Sequence, residues 1–256
     1  MSGLEFHQYP YGGDNYGVLV HDVETGATAS IDSGDANATL AALGSCGWTL
    51  SHLLLTHHHG DHTAGTLAVK QATGCKVIGP APLSSKIDGL DEHVNDGDVI
   101  DFAGHKISVI HTPGHTTDMM NYHFVDAQVV FTGDTLFAMG CGRLFEGDAE
   151  MMFNSMRKLA KLPPQTTVYC SHEYTETNAR FASDVDPENP DLKTRVVKVK
   201  ALRSEGKPTI PCLLSDELAT NPFLRTSSAD IRRTLELQNA SDIEVFSELR
   251  DRRNQY

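Results

Sequence analysis

Nowhere in its 256 residues does this chain hold an apolar run approaching the ~20 residues of a membrane-spanning helix. The start, Met1 to Pro10, lacks a basic segment followed by an apolar one, so no secretory leader is expected. No Cys-x-x-Cys pair occurs among the scattered cysteines Cys46, Cys75, Cys141, Cys170 and Cys212. Their odd number and spacing argue against a disulfide framework and against a cysteine-based zinc site, and suit a reducing cytoplasm. Positive charge is also scarce: 21 Lys and Arg stand against 34 Asp and Glu, for a net charge of −13. The deficit lies in residues 1–190, which hold 9 basic against 24 acidic side chains, whereas residues 191–256 hold 12 against 10. So acidic a body argues against a nucleic-acid partner. The more basic tail is where an anionic ligand would be met. Internal repeats and low-complexity segments are absent too.

What the chain does have is concentrated histidine. The apolar run Leu53-Leu54-Leu55 stops at Thr56 and is followed by His57-His58-His59-Gly60-Asp61-His62. Neutral imidazoles and a carboxylate at such spacing commonly hold a borderline divalent cation. In an extended chain, side chains two apart share a face, so His57 and His59 point one way. Asp61 and His62 follow Gly60, where the chain can turn and aim them at a second point. Two ions side by side are therefore expected.

Around this stretch the first ~170 residues read as alternating strands and helices. Short strands are expected at Asn15–Val20 and Ala27–Ser33 about a turn at Glu24-Thr25-Gly26, and a helix at Ala36–Gly44. A buried strand at Ser51–Thr56, a helix at Thr63–Thr73 and a strand at Lys76–Gly79 form a βαβ pattern, with ligands at strand ends as α/β folds place them. Strands follow at Asp98–Phe102, His105–Ile110, Met119–Phe124 and Gln128–Thr132, then a helix at Glu150–Leu162 and a strand at Thr167–Cys170. Beyond this point only helical periodicity remains, at Thr175–Ser183, Leu192–Ser204, Ser227–Asn239 and Ser241–Arg253, the last opened by the capping box Ser241-Asp-Ile-Glu244. We divide the chain into an α/β metal-binding domain, residues 1–173, and a smaller helical domain, residues 174–256.

Three further strand ends carry polar groups: His111-Thr-Pro-Gly-His115-Thr, Phe131-Thr-Gly-Asp134-Thr and Val168-Tyr-Cys-Ser-His172-Glu-Tyr174. With the first stretch they supply five histidines and two aspartates as donors. That set divides into His, His, His and Asp, His, His, with one carboxylate left to bridge. His58 and His111 are expected to pack or support rather than ligate. Asp32 reads as a carboxylate that orients a ligand histidine or shapes a turn.

These motifs, from Thr56 to His62, His111 to Thr116, Thr132 to Thr135 and Ser171 to Thr175, resemble those of the metallo-β-lactamase superfamily. Within it, Gly140-Cys-Gly-Arg143-Leu-Phe-Glu-Gly147, His172-Glu-Tyr174-Thr, Asn221-Pro-Phe-Leu-Arg225 and the ending Leu249 to Tyr256 resemble glyoxalase II, the hydroxyacylglutathione hydrolases. The resemblance implies an αββα sandwich followed by a helical glutathione-binding domain. It implies that His57, His59 and His115 hold one metal, that Asp61, His62 and His172 hold the other, and that Asp134 bridges, with Asp61 and Asp134 as the catalytic carboxylates. It further implies that Arg143, Phe145, Tyr174, Arg250 and Arg253 bind the glutathione moiety. Four positions depart from the family pattern: Phe145 where some members have Tyr, Arg253 for Lys, Asn254 for Asp, and Ser33 for a Pro common after Asp32.

The chemistry this resemblance implies is hydrolysis of a glutathione thioester, S-D-lactoylglutathione, to glutathione and D-lactate. Two divalent ions, zinc foremost with iron or manganese as alternatives, would share a water and lower its pKa from 15.7 towards ~7, making a bridging hydroxide nucleophile. A thiol has a pKa of ~8.5, so a thiolate leaves without a dedicated general acid. The expected partner is a small-molecule thioester acting on a cytoplasmic monomer, with no nucleic acid and no membrane. A glutathione persulfide dioxygenase on the same fold, a metal- or glutathione-binding module without turnover, and a nuclease-type hydrolase, which the acidic charge balance disfavours, are the rival expectations.

Overall fold

The computed structural model describes residues 3–256, which divide into two compact units. The first runs to His111 and resumes at Thr117–Gly133; the second comprises Thr112–Thr116 and Asp134–Tyr256.

The first unit contains ten strands. In order they are β1 (Leu4–Tyr11), β2 (Asn15–Asp22), β3 (Thr28–Ile31), β4 (His52–Leu54), β5 (Lys76–Pro80), β6 (Glu92–Val94), β7 (Val99–Phe102), β8 (His105–His111), β9 (Met120–Phe124) and β10 (Val129–Phe131). Strands β1 to β6 form one sheet in sequence order, antiparallel as far as β3 and parallel from β3 to β6. Helix α1 (Ala36–Cys46) connects β3 to β4. Helices α2 (Gly60–Thr63) and α3 (Thr66–Thr73) connect β4 to β5. Parallel neighbours need such crossovers, so the expected βαβ pattern is present. Strands β7 to β10 are antiparallel neighbours. They meet the first sheet through Phe131 against Phe6, with ring centroids 6.4 Å apart, and through Tyr122, whose hydroxyl donates to the Leu55 carbonyl at 2.6 Å. Helices α1 and α3 pack on the first sheet, over Leu43, Leu53, Leu55, Val69 and Val77.

Strand β4 lies inside that sheet, and Leu53 and Leu55 are fully buried. Burying a leucine contributes roughly 1.5–3 kcal/mol. The histidine stretch therefore leaves from a strand held in the interior of its sheet.

The second unit contains the two-residue strands β11 (Leu136–Phe137) and β12 (Gly140–Cys141), helix α4 (Ala149–Leu159) and strand β13 (Thr167–Tyr169). Helices α5 (Thr175–Val185), α6 (Pro190–Ser204), α7 (Leu214–Thr220), α8 (Ala229–Leu235) and α9 (Asp242–Asn254) follow, with strand β14 (Cys212–Leu213) before α7. Phe153 on α4 and Phe223 both pack on Phe246 of α9. The loop Thr112–Thr116 belongs to this unit because its backbone is matched to residues 145–155. Gly147 N–H donates to the Gly114 carbonyl at 3.2 Å, Phe145 N–H to the His115 carbonyl at 3.1 Å, and Ser155 Oγ to the Pro113 carbonyl at 2.7 Å. Gly114 has φ +152°, and a Cβ there would lie 2.8 Å from Met152, so only glycine fits.

Several details differ from the sequence reading, among them the unread short strands β6, β11 and β12. The helix expected over 63–73 is broken at Gly65, where a Cβ would come within 2.7 Å of the Ser33 carbonyl and the Ala36 nitrogen. Strand β1 was not anticipated; its burial does not alternate, so it lacks the period-two signal. A strand, β14, does occur among the late helices, but its two residues pair with β13 and carry no periodicity of their own. Helix α7 went unread for the same reason of length.

The capping box of α9 is present: Ser241 Oγ accepts from Glu244 N–H, and the Glu244 carboxylate accepts from Ser241 N–H at 2.7 Å. Ser241→Ala should lower stability by about 1 kcal/mol, or roughly 2–4 °C of melting temperature in a chain of this size, measured by thermal denaturation.

Candidate functional site

After β4 the backbone carries Thr56 and His57 into full burial, and His59 stands before the first turn of α2. That turn, not a left-handed glycine, redirects the chain: Gly60 opens α2 and places Asp61 and His62 in it. The His57 ring lies 4.7 Å from that of His59 and 4.1 Å from that of His62, centroid to centroid. Donor atoms of His57 come within 4.8 Å of those of His59 and of His62, as do those of Asp61 and His62.

Asp32 orders this set. Its Oδ1 accepts from Thr56 N–H at 2.7 Å; its Oδ2 accepts from Thr56 Oγ1 at 2.8 Å and from His62 Nδ1 at 2.8 Å. Asp32 itself has φ +57°, so it serves both uses read from the sequence, a turn and a histidine support. Because the Thr56 hydroxyl proton goes to Asp32, its oxygen accepts from His57 Nδ1 at 3.0 Å. Both His57 and His62 therefore carry their proton on Nδ1 and present a lone pair at Nε2. Asp61 is held by Asn15 Nδ2, which donates to its Oδ2 at 3.0 Å, and by the Tyr11 hydroxyl, which donates to its carbonyl at 2.9 Å. Gly34 closes on the same carbonyl, where a Cβ would sit only 1.8 Å away.

The second unit repeats this chemistry. His115 Nδ1 donates to the Arg143 carbonyl at 2.9 Å, which leaves the Nε2 lone pair 3.3 Å from Asp134 Oδ2. Asp134 Oδ1 lies 3.4 Å from His172 Nε2, so this carboxylate offers one oxygen to each of two imidazoles. His172 is sandwiched: Tyr174 stacks flat on it at 4.7 Å and Phe137 meets it edge-on at 5.8 Å.

These contacts test whether the residues fit a cation. A lone pair on His115 Nε2 against a carboxylate oxygen at 3.3 Å is repulsive, and so is His62 Nε2 against Asp61 Oδ2 at 3.4 Å. A divalent ion turns each of these repulsions into shared coordination, and imidazole with carboxylate is the donor chemistry that such ions take. The residues fit.

The candidate substrate residues separate into two kinds. Arg143 is exposed; Phe145 is 64% exposed, with its ring edge-on to His115 at 5.2 Å; Tyr174 is half-buried. Arg253 is half-buried and donates Nε and Nη2 to Asn178 Oδ1. Burial first, then the charges of Arg250 and Arg143, holds the Arg253 guanidinium below its ordinary pKa. Arg250 is only 3% exposed: Nη1 donates to the Cys141 and Gly142 carbonyls, Nε to Asn254 Oδ1, and the guanidinium lies over the Phe223 ring. Asn254 thereby has a defined partner.

His58 and His111 lie outside the two donor sets above, but His58 with Asp118 belongs to a separate cluster of donor atoms that could hold an ion. His58 Nδ1 is 3.0 Å from Asp118 Oδ1, and His111 Nε2 is 2.9 Å from the Thr117 carbonyl. Sequence reasoning missed Asn15, Asp118 and Asn178 as supports. None has a neighbour pattern that marks it, and Asn15 reaches Asp61 across 46 positions.

The comparisons with known proteins agree with this geometry. The metallo-beta-lactamase superfamily profile matches residues 18–172, and the fold with its His and Asp donors defines a member of that superfamily, extended by a helical C-terminal region. Solved structures share the fold: ETHE1 from Myxococcus xanthus (TM-score 0.67, 23% identity, covering 98% of this chain and all of that one) and BLEG-1 B3 metallo-beta-lactamase (0.66, 23%, 86% and all). The profile described as hydroxyacylglutathione hydrolase C-terminus matches residues 173–256. Proteins named hydroxyacylglutathione hydrolase are similar along the whole chain. That of Chelativorans sp. strain BNC1 is 50% identical over 98% of both chains, and that of Rhizobium etli 49% identical over the full length of both. The chain belongs to the hydroxyacylglutathione hydrolase family, glyoxalase II.

Asn15→Ala removes the amide that holds Asp61. It should weaken binding of one of two ions about 10–100-fold, read as reduced metal content after dialysis against a chelator.

Proposed function

We propose that this chain hydrolyses S-2-hydroxyacylglutathiones, with S-D-lactoylglutathione as the substrate and glutathione and D-lactate as the products, in methylglyoxal detoxification. The observation that carries the reading is the pair of exposed Arg143 and half-buried Arg253 in the same unit as the His115–Asp134–His172 donors, with Arg253 held below its ordinary pKa first by burial and then by the charges of Arg250 and Arg143. Concentrated positive charge in an otherwise acidic chain suits a ligand with two carboxylates, as glutathione has. Relatives named hydroxyacylglutathione hydrolase over the whole chain support the same substrate class.

We assign His57, His59 and His115 to one divalent ion and Asp61, His62 and His172 to the other, with Asp134 shared; zinc is the first choice, iron or manganese the alternatives. When bound, such a pair supplies Lewis acidity towards the thioester carbonyl and lowers the pKa of water from 15.7 towards about 7. The protein's own part is arrangement. Asp32 and the Arg143 carbonyl keep His62 and His115 in the tautomer that presents Nε2. Asp61 and Asp134 supply the negative charge that balances the ions. Arg143 and Arg253 pair with substrate carboxylates, which a guanidinium can grip through two N–H groups. Phe145 and Tyr174 offer ring faces to the peptide, and Phe145 makes no hydroxyl contact. The departing thiolate needs no protein acid because a thiol has a pKa of about 8.5. The helical residues 174–256 act as the glutathione-binding domain, and the enzyme works as a monomer in the cytoplasm, where its five thiols stay reduced.

Metal analysis and an assay with S-D-lactoylglutathione on one preparation test this. Loss of the thioester's ultraviolet absorbance is expected; two ions per chain without turnover would overturn the assignment. Asp134→Ala should lose metal stoichiometry as well as rate, and retention of two ions would refute its shared role. Arg253→Ala should raise KM roughly tenfold, about 1.4 kcal/mol of uniform binding, with kcat largely kept.

A further inference from the structure

The hairpin β11–β12 turns through Ala138 and Met139, and Met139 has φ +54°, a left-handed backbone that a side chain-bearing residue seldom adopts. Such a turn persists only where its surroundings over-determine it. Here they do. Asn178 Nδ2 donates to the Ala138 carbonyl at 3.0 Å; Asn221 Nδ2 donates to the Phe137 and Gly140 carbonyls at 3.2 and 2.9 Å; Arg250 takes the Cys141 and Gly142 carbonyls. The Met139 N–H itself donates to Glu217 Oε2 at 2.8 Å.

Glu217 is fully buried and collects donors from four segments. Oε2 also accepts from Asn221 Nδ2 at 2.9 Å, while Oε1 accepts from the Arg195 guanidinium and from Cys212 Sγ at 3.3 Å. Burial works against the charge on Arg195, but the Glu217 carboxylate overrides it and raises the Arg195 pKa. The hairpin leads straight into Arg143. The residue that follows it, Gly142, donates N–H to the Thr135 carbonyl at 3.2 Å, and a Cβ there would lie 2.0 Å from the Asp134 carbonyl. Any shift of the turn is therefore transmitted to Asp134, to the Arg143 side chain, and to the Arg143 carbonyl that orients His115.

We infer that Glu217 is a positioning residue of the substrate site: through Met139 N–H and Asn221 it holds the β11–β12 hairpin in the one shape that presents Arg143 to the glutathione moiety. The inference rests on the function proposed above. It also gives Asn221, in the Asn221-Pro-Phe-Leu-Arg225 motif, a role that no chemistry in the sequence suggested.

The test compares Glu217→Gln and Asn221→Ala with Thr220→Val. Thr220 sits on the same helix and bonds Arg195 and the Asp216 carbonyl, and no hydrogen bond runs from it to the hairpin. For each variant and for the wild type, melting temperature, KM and kcat for S-D-lactoylglutathione, and the dissociation constant of the thioether S-hexylglutathione are measured. Roughly tenfold increases in KM and in the thioether dissociation constant are expected for Glu217→Gln and Asn221→Ala, against little change for Thr220→Val at a comparable loss of melting temperature. If the thioether binds either variant as tightly as it binds Thr220→Val, the inference is overturned; should Glu217→Gln not fold, Asn221→Ala decides alone. A wild-type chain that neither binds the thioether nor hydrolyses the thioester overturns the functional reading instead.

Discussion

An imidazole lone pair aimed at a carboxylate oxygen is the constraint on which this protein is built. His115 Nε2 faces Asp134 across 3.3 Å and His62 Nε2 faces Asp61 across 3.4 Å, each with its Nδ1 proton already committed elsewhere. Acceptors do not approach one another in this way unless the fold forces them to, and a cation is what makes the arrangement favourable. The supports follow from that need: Asp32 and the Arg143 carbonyl hold tautomers, Asn15 holds a carboxylate, and Gly34 and Gly142 let backbone close in where a Cβ could not.

The two units bring different resources to this chemistry. In the first, a parallel strand buried between neighbours ends abruptly and leads to His57 and His59, and a short helix redirects Asp61 and His62. Its precision derives from a fully packed strand. In the second, the donors and Arg143, Phe145 and Tyr174 sit on loops, Asp134 and Arg143 flanking the short β11–β12 hairpin, while Arg250 and Arg253 sit on α9. There precision comes from polar side chains, Asn178, Glu217, Asn221 and Arg250, that take the Phe137, Ala138, Gly140 and Cys141 carbonyls and the Met139 N–H of the hairpin. Buried polar networks of this type rigidify when every member is satisfied.

Much of the architecture was legible because it is periodic or punctuated. The βαβ run about Leu53–Leu55, the late helices and the Ser241 capping box all announce themselves through apolar spacing, glycines and caps. The donor residues were legible through chemistry, since imidazoles and carboxylates at strand ends have few common uses. Short elements were not: β11, β12, β14 and α7 span too few residues for any period to register. Nor was the break at Gly65, whose cause is the backbone of Ser33 more than 30 positions earlier.

Arg250 shows where reading by motif and reading by geometry part. As a charge near the end of the chain it looks like a ligand for an anion, yet it is buried against Cys141 and Gly142, over a hundred positions away. The sequence alone determined which side chains have metal-binding chemistry, where most of the longer strands and helices run, and to which family the chain belongs, because those properties depend on residue type and near-neighbour spacing. Only the tertiary structure decided which nitrogen of each histidine carries its proton, which arginines meet solvent, and that Glu217 governs a distant hairpin. Those depend on hydrogen bonds between residues tens of positions apart, and no local pattern records them.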